Sequence, residues 1–197
     1  MRSLLMVAAS LLILASCKKE ENPFDQPAQV SALEKKISDL SIDSANGRYT
    51  LFNLETGKVV PNSDSASDNW HIGFLSTTII VNSGVSGPGN TQGQVITGIY
   101  DNYNEATTTG FKADGTGISR AVPTGSGNGW YSYNSDTHVI SPTPGRLLLF
   151  KTSDNKYCKM EILSYYKGAP AQPTAEMESR TYTFRYVYQG NGTTSFK

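Results

Sequence analysis

Residues 145–168, GRLLLFKTSDNKYCKMEILSYYKG, decide the fold class. Two apolar runs flank a polar knot, Ser153-Asp154-Asn155-Lys156. Asp and Asn tolerate the positive φ of tight turns, so the knot predicts a β-hairpin. Before it, Leu147-Leu148-Leu149-Phe150 is apolar without alternation, as in a strand covered on both faces. After it Cys158, Met160 and Ile162 alternate with Lys159, Glu161 and Leu163, as in a half-buried strand. From Arg180 a third run places Tyr182, Phe184, Tyr186 and Tyr188 at period two. The three runs predict a central antiparallel sheet with the earlier chain packed on it. The class is all-β: multi-stranded antiparallel sheets in a single domain, with little helix.

Composition agrees. The chain has 197 residues, enough for one ordinary domain, and only 17% are charged. The formal net charge is zero and no nucleic-acid-binding motif occurs, so a nucleic acid partner is set aside. At the N-terminus, Arg2 precedes an apolar run from Leu4 that ends in Leu14-Ala15-Ser16-Cys17. A charged start, a short apolar segment and small residues before a cleavage point make a secretory signal peptide. The run is shorter than the roughly 20 apolar residues that cross a bilayer. Leu-Ala-Ser-Cys resembles the bacterial lipobox, which implies acylation of Cys17 and a lipid anchor in the membrane. The alternative is an ordinary signal peptide with an incidental Cys. Lys18-Lys19-Glu20-Glu21 is similar to the export signal of surface lipoproteins of Bacteroidetes, which implies an outer-membrane, surface-exposed location. The expected organisation is a signal peptide over 1–16, the lipidated Cys and a tether over 17–44, and a β domain over 45–197. With Cys17 acylated, Cys158 has no partner for an internal disulfide and is expected as a small buried residue.

Taken in order, Val30, Leu33, Ile37 and Leu40 recur at helical spacing and predict a short helix over 31–36, then an extended segment. Residues 48–54 (RYTLFNL) and 59–61 form a first hairpin across Glu55-Thr56-Gly57-Lys58. Alternation puts Trp70, Ile72 and Phe74 on one core-facing side. Residues 77–82 and 94–100 read as strands. The glycine-rich 83–93 lacks the Lys and following helix of a phosphate loop. Loops are expected over 101–129 and over 134–144, which carries His138. Between them, 130–133 resumes β character, and 169–179 reads as a long crossover.

These features converge on a family. The sequence has an aromatic strand before Glu55-Thr56-Gly57-Lys58-Val59-Val60, then Asp68-Asn69-Trp70-x-Ile72-x-Phe74. A β-branched strand leads into Asn82-Ser83-Gly84-Val85-Ser86-Gly87-x-Gly89, and the chain closes on Lys156-Tyr157-x-Lys159-Met160-x-Ile162 and the Tyr/Phe strand. With the lipobox, this order resembles the HmuY family of lipid-anchored haem-binding proteins of Bacteroidetes. The resemblance covers most of the chain after about residue 45. It implies a haem cofactor, haem or a related porphyrin as ligand, and uptake of haem from host haemoproteins through a TonB-dependent outer-membrane receptor.

Haem iron takes His, Met, Cys or Tyr as axial donors. The family pattern implies one ligand before Trp130 and one shortly after it. The stretch 101–129 holds neither His nor Met, and the later position falls near Asn134 or Ser135, about three residues before His138. The haem-binding residues nominated are His138, as an iron ligand, and Met177, in the loop before the last strand. Each has a plain alternative: a solvated loop imidazole and a partly buried packing residue. Met160 reads as core, and His71 as a surface or second-sheet imidazole not assigned to iron. Tyr131, Tyr133 and Tyr165 could stack on a porphyrin or simply pack in a sheet. No nucleophile elbow, His-Glu-x-x-His or Cys/His cluster occurs, so no enzymatic activity is expected. Two functions remain open: a haem-sequestering lipoprotein, or the same scaffold without haem ligation, holding another ligand or protein partner.

Overall fold

The computed structural model describes residue 32, residues 34–42 and residues 46–197. The expected signal peptide, Cys17 and most of the tether lie outside these residues. The described chain holds eleven strands, three short 3-10 turns and no α-helix. The strands are β1 (Glu34–Ser41), β2 (Thr50–Asn53), β3 (Lys58–Val60), β4 (Ile72–Leu75), β5 (Thr78–Val81) and β6 (Gln92–Thr97). They continue with β7 (Tyr131–Asn134), β8 (Val139–Pro142), β9 (Arg146–Lys151), β10 (Tyr157–Tyr166) and β11 (Ser179–Gln189). Three antiparallel sheets result, in the orders β1-β11-β10-β9-β6, β3-β2-β4-β5 and β7-β8.

The expected central strands lie side by side as β11-β10-β9, and Asn155 takes φ 59° in the turn between β9 and β10. The two larger sheets face each other across an aromatic core. Phe52 and Phe74 meet Phe184 at 5.6 and 5.7 Å between ring centroids, and Tyr182 lies 4.9 Å from Phe74. Edge-on and offset contacts of this kind add to the burial of the rings. Leu148, Phe150, Cys158, Met160 and Ile162 complete the layer. Burial on both sides of β9 follows from a second cluster beyond it, where Leu147 packs with Tyr100, Val187 and Phe196.

Four expectations are corrected. Residues 34–36 of the predicted helix belong to β1, whose register on β11 runs from Glu34↔Val187 to Ser41↔Thr181. Pairing with an eleven-residue partner strand overrides a weak helical spacing. Residues 169–179 join neighbouring antiparallel strands, so they are a long hairpin loop and not a crossover. Trp70 precedes β4 and packs with Leu51, Val60 and Ile80, on the face opposite Ile72 and Phe74. Gly73 permits this, because a Cβ there would come within 3.0 Å of Ile80.

Lys159 is the fourth. It sits on the outward face of β10 as alternation predicts, yet it is buried. The segment around Tyr100 and the C-terminal Phe196 cover it, and its Nζ donates to the carbonyls of Tyr100 (2.9 Å) and Tyr103 (2.8 Å). The ammonium lies 4.4 Å from the Tyr100 ring centroid, and burial pulls its pKa down.

Candidate functional site

Part of the expected loop 134–144 is a strand: β7 and β8 form a hairpin with pairs Tyr131↔Pro142 and Tyr133↔Ile140. Asn134 shapes its turn, with Oδ1 accepting from the N–H groups of Asp136 (2.9 Å) and Thr137 (3.1 Å). The turn ends on His138 with φ 54°. A left-handed conformation disfavours any side chain with a Cβ, and Gly or Asn is its usual occupant. Held there, the exposed imidazole lies with Nδ1 2.7 Å from Tyr133 Oη and the two rings 6.3 Å apart. Asp39, Ser76, Asn155, Ala169 and Arg180 also take positive φ, so it is the exposed imidazole and not the backbone that nominates His138.

Three contacts dock this hairpin on the body of the protein. Trp130 Nε1 donates to the Thr77 carbonyl at 2.9 Å, and the Ile140 N–H donates to Tyr166 Oη at 3.1 Å. The buried Trp130 ring lies 5.1 Å from Tyr131, 5.1 Å from Tyr182 and 5.8 Å from Tyr165. Tyr165 is therefore core, and burial raises its pKa.

Between β8 and the end of β10 lies a groove of about 190 Å³. Ile140 and Pro142 form one wall, Leu163 and Tyr165 the floor, and Pro170 and Pro173 of the 169–179 loop the other wall. Register shifts in β1 between Ile37 and Leu40, and in β10 between Ile162 and Tyr166, all fall against residues 179–184 of β11. Bulges of this kind twist a sheet end and re-aim side chains. Both bordering strand edges are blunted. Pro142 lacks an N–H, and Ser164 Oγ bonds the Tyr166 N–H (3.0 Å) and carbonyl (3.1 Å) of its own strand. The groove is thus closed to an added strand, and Ser141 and Ser164 line it beside the apolar side chains.

His138 and Met177 belong to the two segments that border this groove, although neither side chain lines it. Met177 is 39% exposed, and its N–H donates to the Thr174 carbonyl at 3.3 Å. Met160 is core, as expected. His71 corrects the surface reading. It is buried, its Nδ1 accepts the Leu54 N–H at 3.0 Å, and burial lowers its pKa despite nearby Asp154, Asp68 and Glu55. Cys158 is free and fully buried, which pushes its thiol well above the usual range. Among the described residues no three His, Cys, Asp or Glu side chains gather as a metal site. No helix among them is long and apolar enough to cross a membrane. Sequence reasoning named Tyr133 only as a stacking ring. Its register opposite Ile140, next to the turn that presents His138, was the signal for a direct contact.

The donor chemistry suits haem in kind: one exposed imidazole and one exposed thioether, beside a groove of mixed polarity with Tyr165 and Tyr166 in its lining. The groove is smaller than the ~300 Å³ at which ligand clefts usually begin, so it would enclose only part of a flat macrocycle.

The architecture is shared with solved bacterial proteins. The apo form of the Tannerella forsythia HmuY analogue superposes with a TM-score of 0.52 at 14% identity, covering 81% of this chain and 96% of that one. A Bacteroides vulgatus protein, described as a candidate HmuY-like haem-binding protein, superposes with a TM-score of 0.50 at 13% identity, covering 79% and 91%. At such identities the likeness establishes the fold. No curated protein matches the chain. The family described as HmuY protein matches residues 46–186, a span that holds the groove, the four-stranded sheet and the large sheet apart from β1 and the end of β11, and the chain belongs to that family.

Proposed function

We propose that this chain is a lipid-anchored outer-membrane protein that binds haem or a related porphyrin, with the β7–β8 hairpin and the 169–179 loop as its grip. Its role is binding and not catalysis. The observation that carries the reading is the placement of His138. A left-handed turn residue presents an imidazole to solvent, on the hairpin that walls the groove, across from the loop that bears Met177. Haem supplies an iron that accepts axial donors, and His138 Nε2 and Met177 Sδ are the donors this chain offers. Ile140, Pro142 and Leu163 would exclude water along one edge of the macrocycle. Acylation of Cys17 would hold the domain at the membrane, and haem would pass from host haemoproteins to a TonB-dependent receptor. Membership of the HmuY family and the likeness to the Bacteroides vulgatus protein support this reading.

A second reading keeps the scaffold and drops the iron. It is favoured by the absence of His and Met from 101–129 and by a groove that neither donor lines. The groove would then take another, smaller ligand or a protein partner.

A haemin titration separates the two. Every described strand lies after residue 33, so the soluble chain from Lys18 onward retains the fold. A saturable Soret change at one equivalent, lost in His138→Ala, is expected. Loss in Met177→Ala alone moves the iron to the 169–179 loop. A non-saturating change equal to that of an unrelated β protein leaves the second reading.

A further inference from the structure

We propose that Tyr133 is a positioning residue for His138. Its hydroxyl oxygen accepts from Nδ1–H, so the ring is fixed in the tautomer whose Nε2 lone pair faces outward. The proposal rests on the haem reading for the direction of this bond, whereas the contact itself belongs to the chain and its direction is measurable without ligand.

The geometry has three parts. The Nδ1–Oη distance of 2.7 Å is a short, direct hydrogen bond between groups five residues apart. The hairpin makes this proximity obligatory. Tyr133 pairs with Ile140, the Tyr133 N–H donates to Ser126 Oγ at 2.8 Å, and His138 is pinned by its φ of 54°. Neither ring is held by the core, since both are exposed, so the contact between them sets the imidazole's orientation.

Chemistry then selects the direction of the bond. An imidazole that ligates through Nε2 must carry its proton on Nδ1, and ligating histidines regularly donate that proton to an oxygen acceptor. A phenol oxygen has acceptor capacity while its own O–H turns to water. His71 provides an internal contrast. Its Nδ1 accepts the Leu54 N–H, so its proton resides on Nε2. The two histidines of the chain are therefore expected in opposite tautomers.

The test uses the soluble chain from Lys18 onward and two readouts. Long-range ¹H–¹⁵N spectra of the ligand-free protein at pH 8 should show His138 protonated mainly on Nδ1 and His71 on Nε2. Tyr133→Phe, which keeps the ring and removes the oxygen, should return His138 toward a mixture and leave His71 unchanged. Haemin titrations should give a dissociation constant about tenfold weaker in Tyr133→Phe, the lower end for loss of an outer-shell partner. His138→Ala, in which the saturable change is lost, sets the reference for removal of the donor itself. His138 protonated mainly on Nε2 in the parent protein overturns the proposal. So does weaker haemin binding in Tyr133→Phe with the His138 tautomer unchanged, which would make Tyr133 a stacking ring. If haemin does not bind, the haem reading fails, and the spectra alone decide whether Tyr133 sets the tautomer.

Discussion

Replacing His138 by Gly and by Ala separates what the backbone needs at this position from what the side chain does. Both substitutions remove the imidazole and its bond to Tyr133 Oη. An exposed hydrogen bond contributes about 0.5–1 kcal/mol, and both variants lose it. They differ in the turn. Residue 138 sits at φ 54°, where a left-handed conformation costs an L-residue about 1–2 kcal/mol. Ala retains that cost. Gly escapes it but gives back about 0.5–1 kcal/mol through its greater freedom in the unfolded chain. His138→Gly should therefore be more stable than His138→Ala by about 0.5–1 kcal/mol. For a domain of this size that is a difference of roughly 1–4 °C in Tm. Differential scanning calorimetry of the two variants and the parent at pH 7.5 reads it directly. The haemin titration should show the two variants equally impaired. An Ala variant as stable as the Gly variant would mean that the turn does not require the left-handed residue. The cost assigned to the left-handed turn at His138 would then be wrong. A Gly variant that still binds haemin like the parent would remove His138 from the site while leaving the turn argument intact.

Two further outcomes are expected. His71 has a folded-state pKa below its ordinary 6.5 because it is buried, so the unfolded chain takes up the proton first. Its contribution to stability is complete above about pH 6.5 and is lost as pH falls below that value. Urea unfolding midpoints should drop between pH 7 and pH 5, with a shallower drop in His71→Asn; equal slopes in the two proteins would refute the assignment. Lys159→Met keeps the apolar stem but orphans the Tyr100 and Tyr103 carbonyls, each bonded to a charged donor. A loss of about 2–4 kcal/mol is expected by chemical denaturation, from bonds of roughly 1.5–3 kcal/mol each less the relief of a buried charge. A change within 0.5 kcal/mol would show that water replaces the ammonium at no cost.

Much of the fold was legible because its central strands carry their environment in their pattern. The unbroken apolar run of β9 demanded cover on both faces, and Leu147 and Leu148 do pack into different clusters. The Tyr/Phe period of β11 demanded one aromatic face, and it meets Phe52 and Phe74. β1 was not legible, because an edge strand half exposed along its length carries little alternation, and its partner supplies the order. Lys159 failed for a related reason. Alternation assigns a residue to a face of its strand but cannot say that a distant segment and the C-terminus close over that face. At the site, the donor types of His138 and Met177 were readable from composition alone. Their placement on two segments flanking one groove was not, since it depends on bulges against residues 179–184 that leave no mark in the sequence.

The direction in which β1 runs has a mechanical consequence. The chain joins the large sheet at the Val187 level of β11, while the groove opens at the Ser179 level of the same strand. Eight residues of strand put these levels about 26 Å apart, at some 3.3 Å per residue. A lipid on Cys17 would therefore pull on the pole opposite the groove. The chain from Cys17 to Glu34 spans at most roughly 60 Å when fully extended. The β-sheet would act as a mast, its binding end turned outward from the bilayer toward whatever carries or collects the ligand.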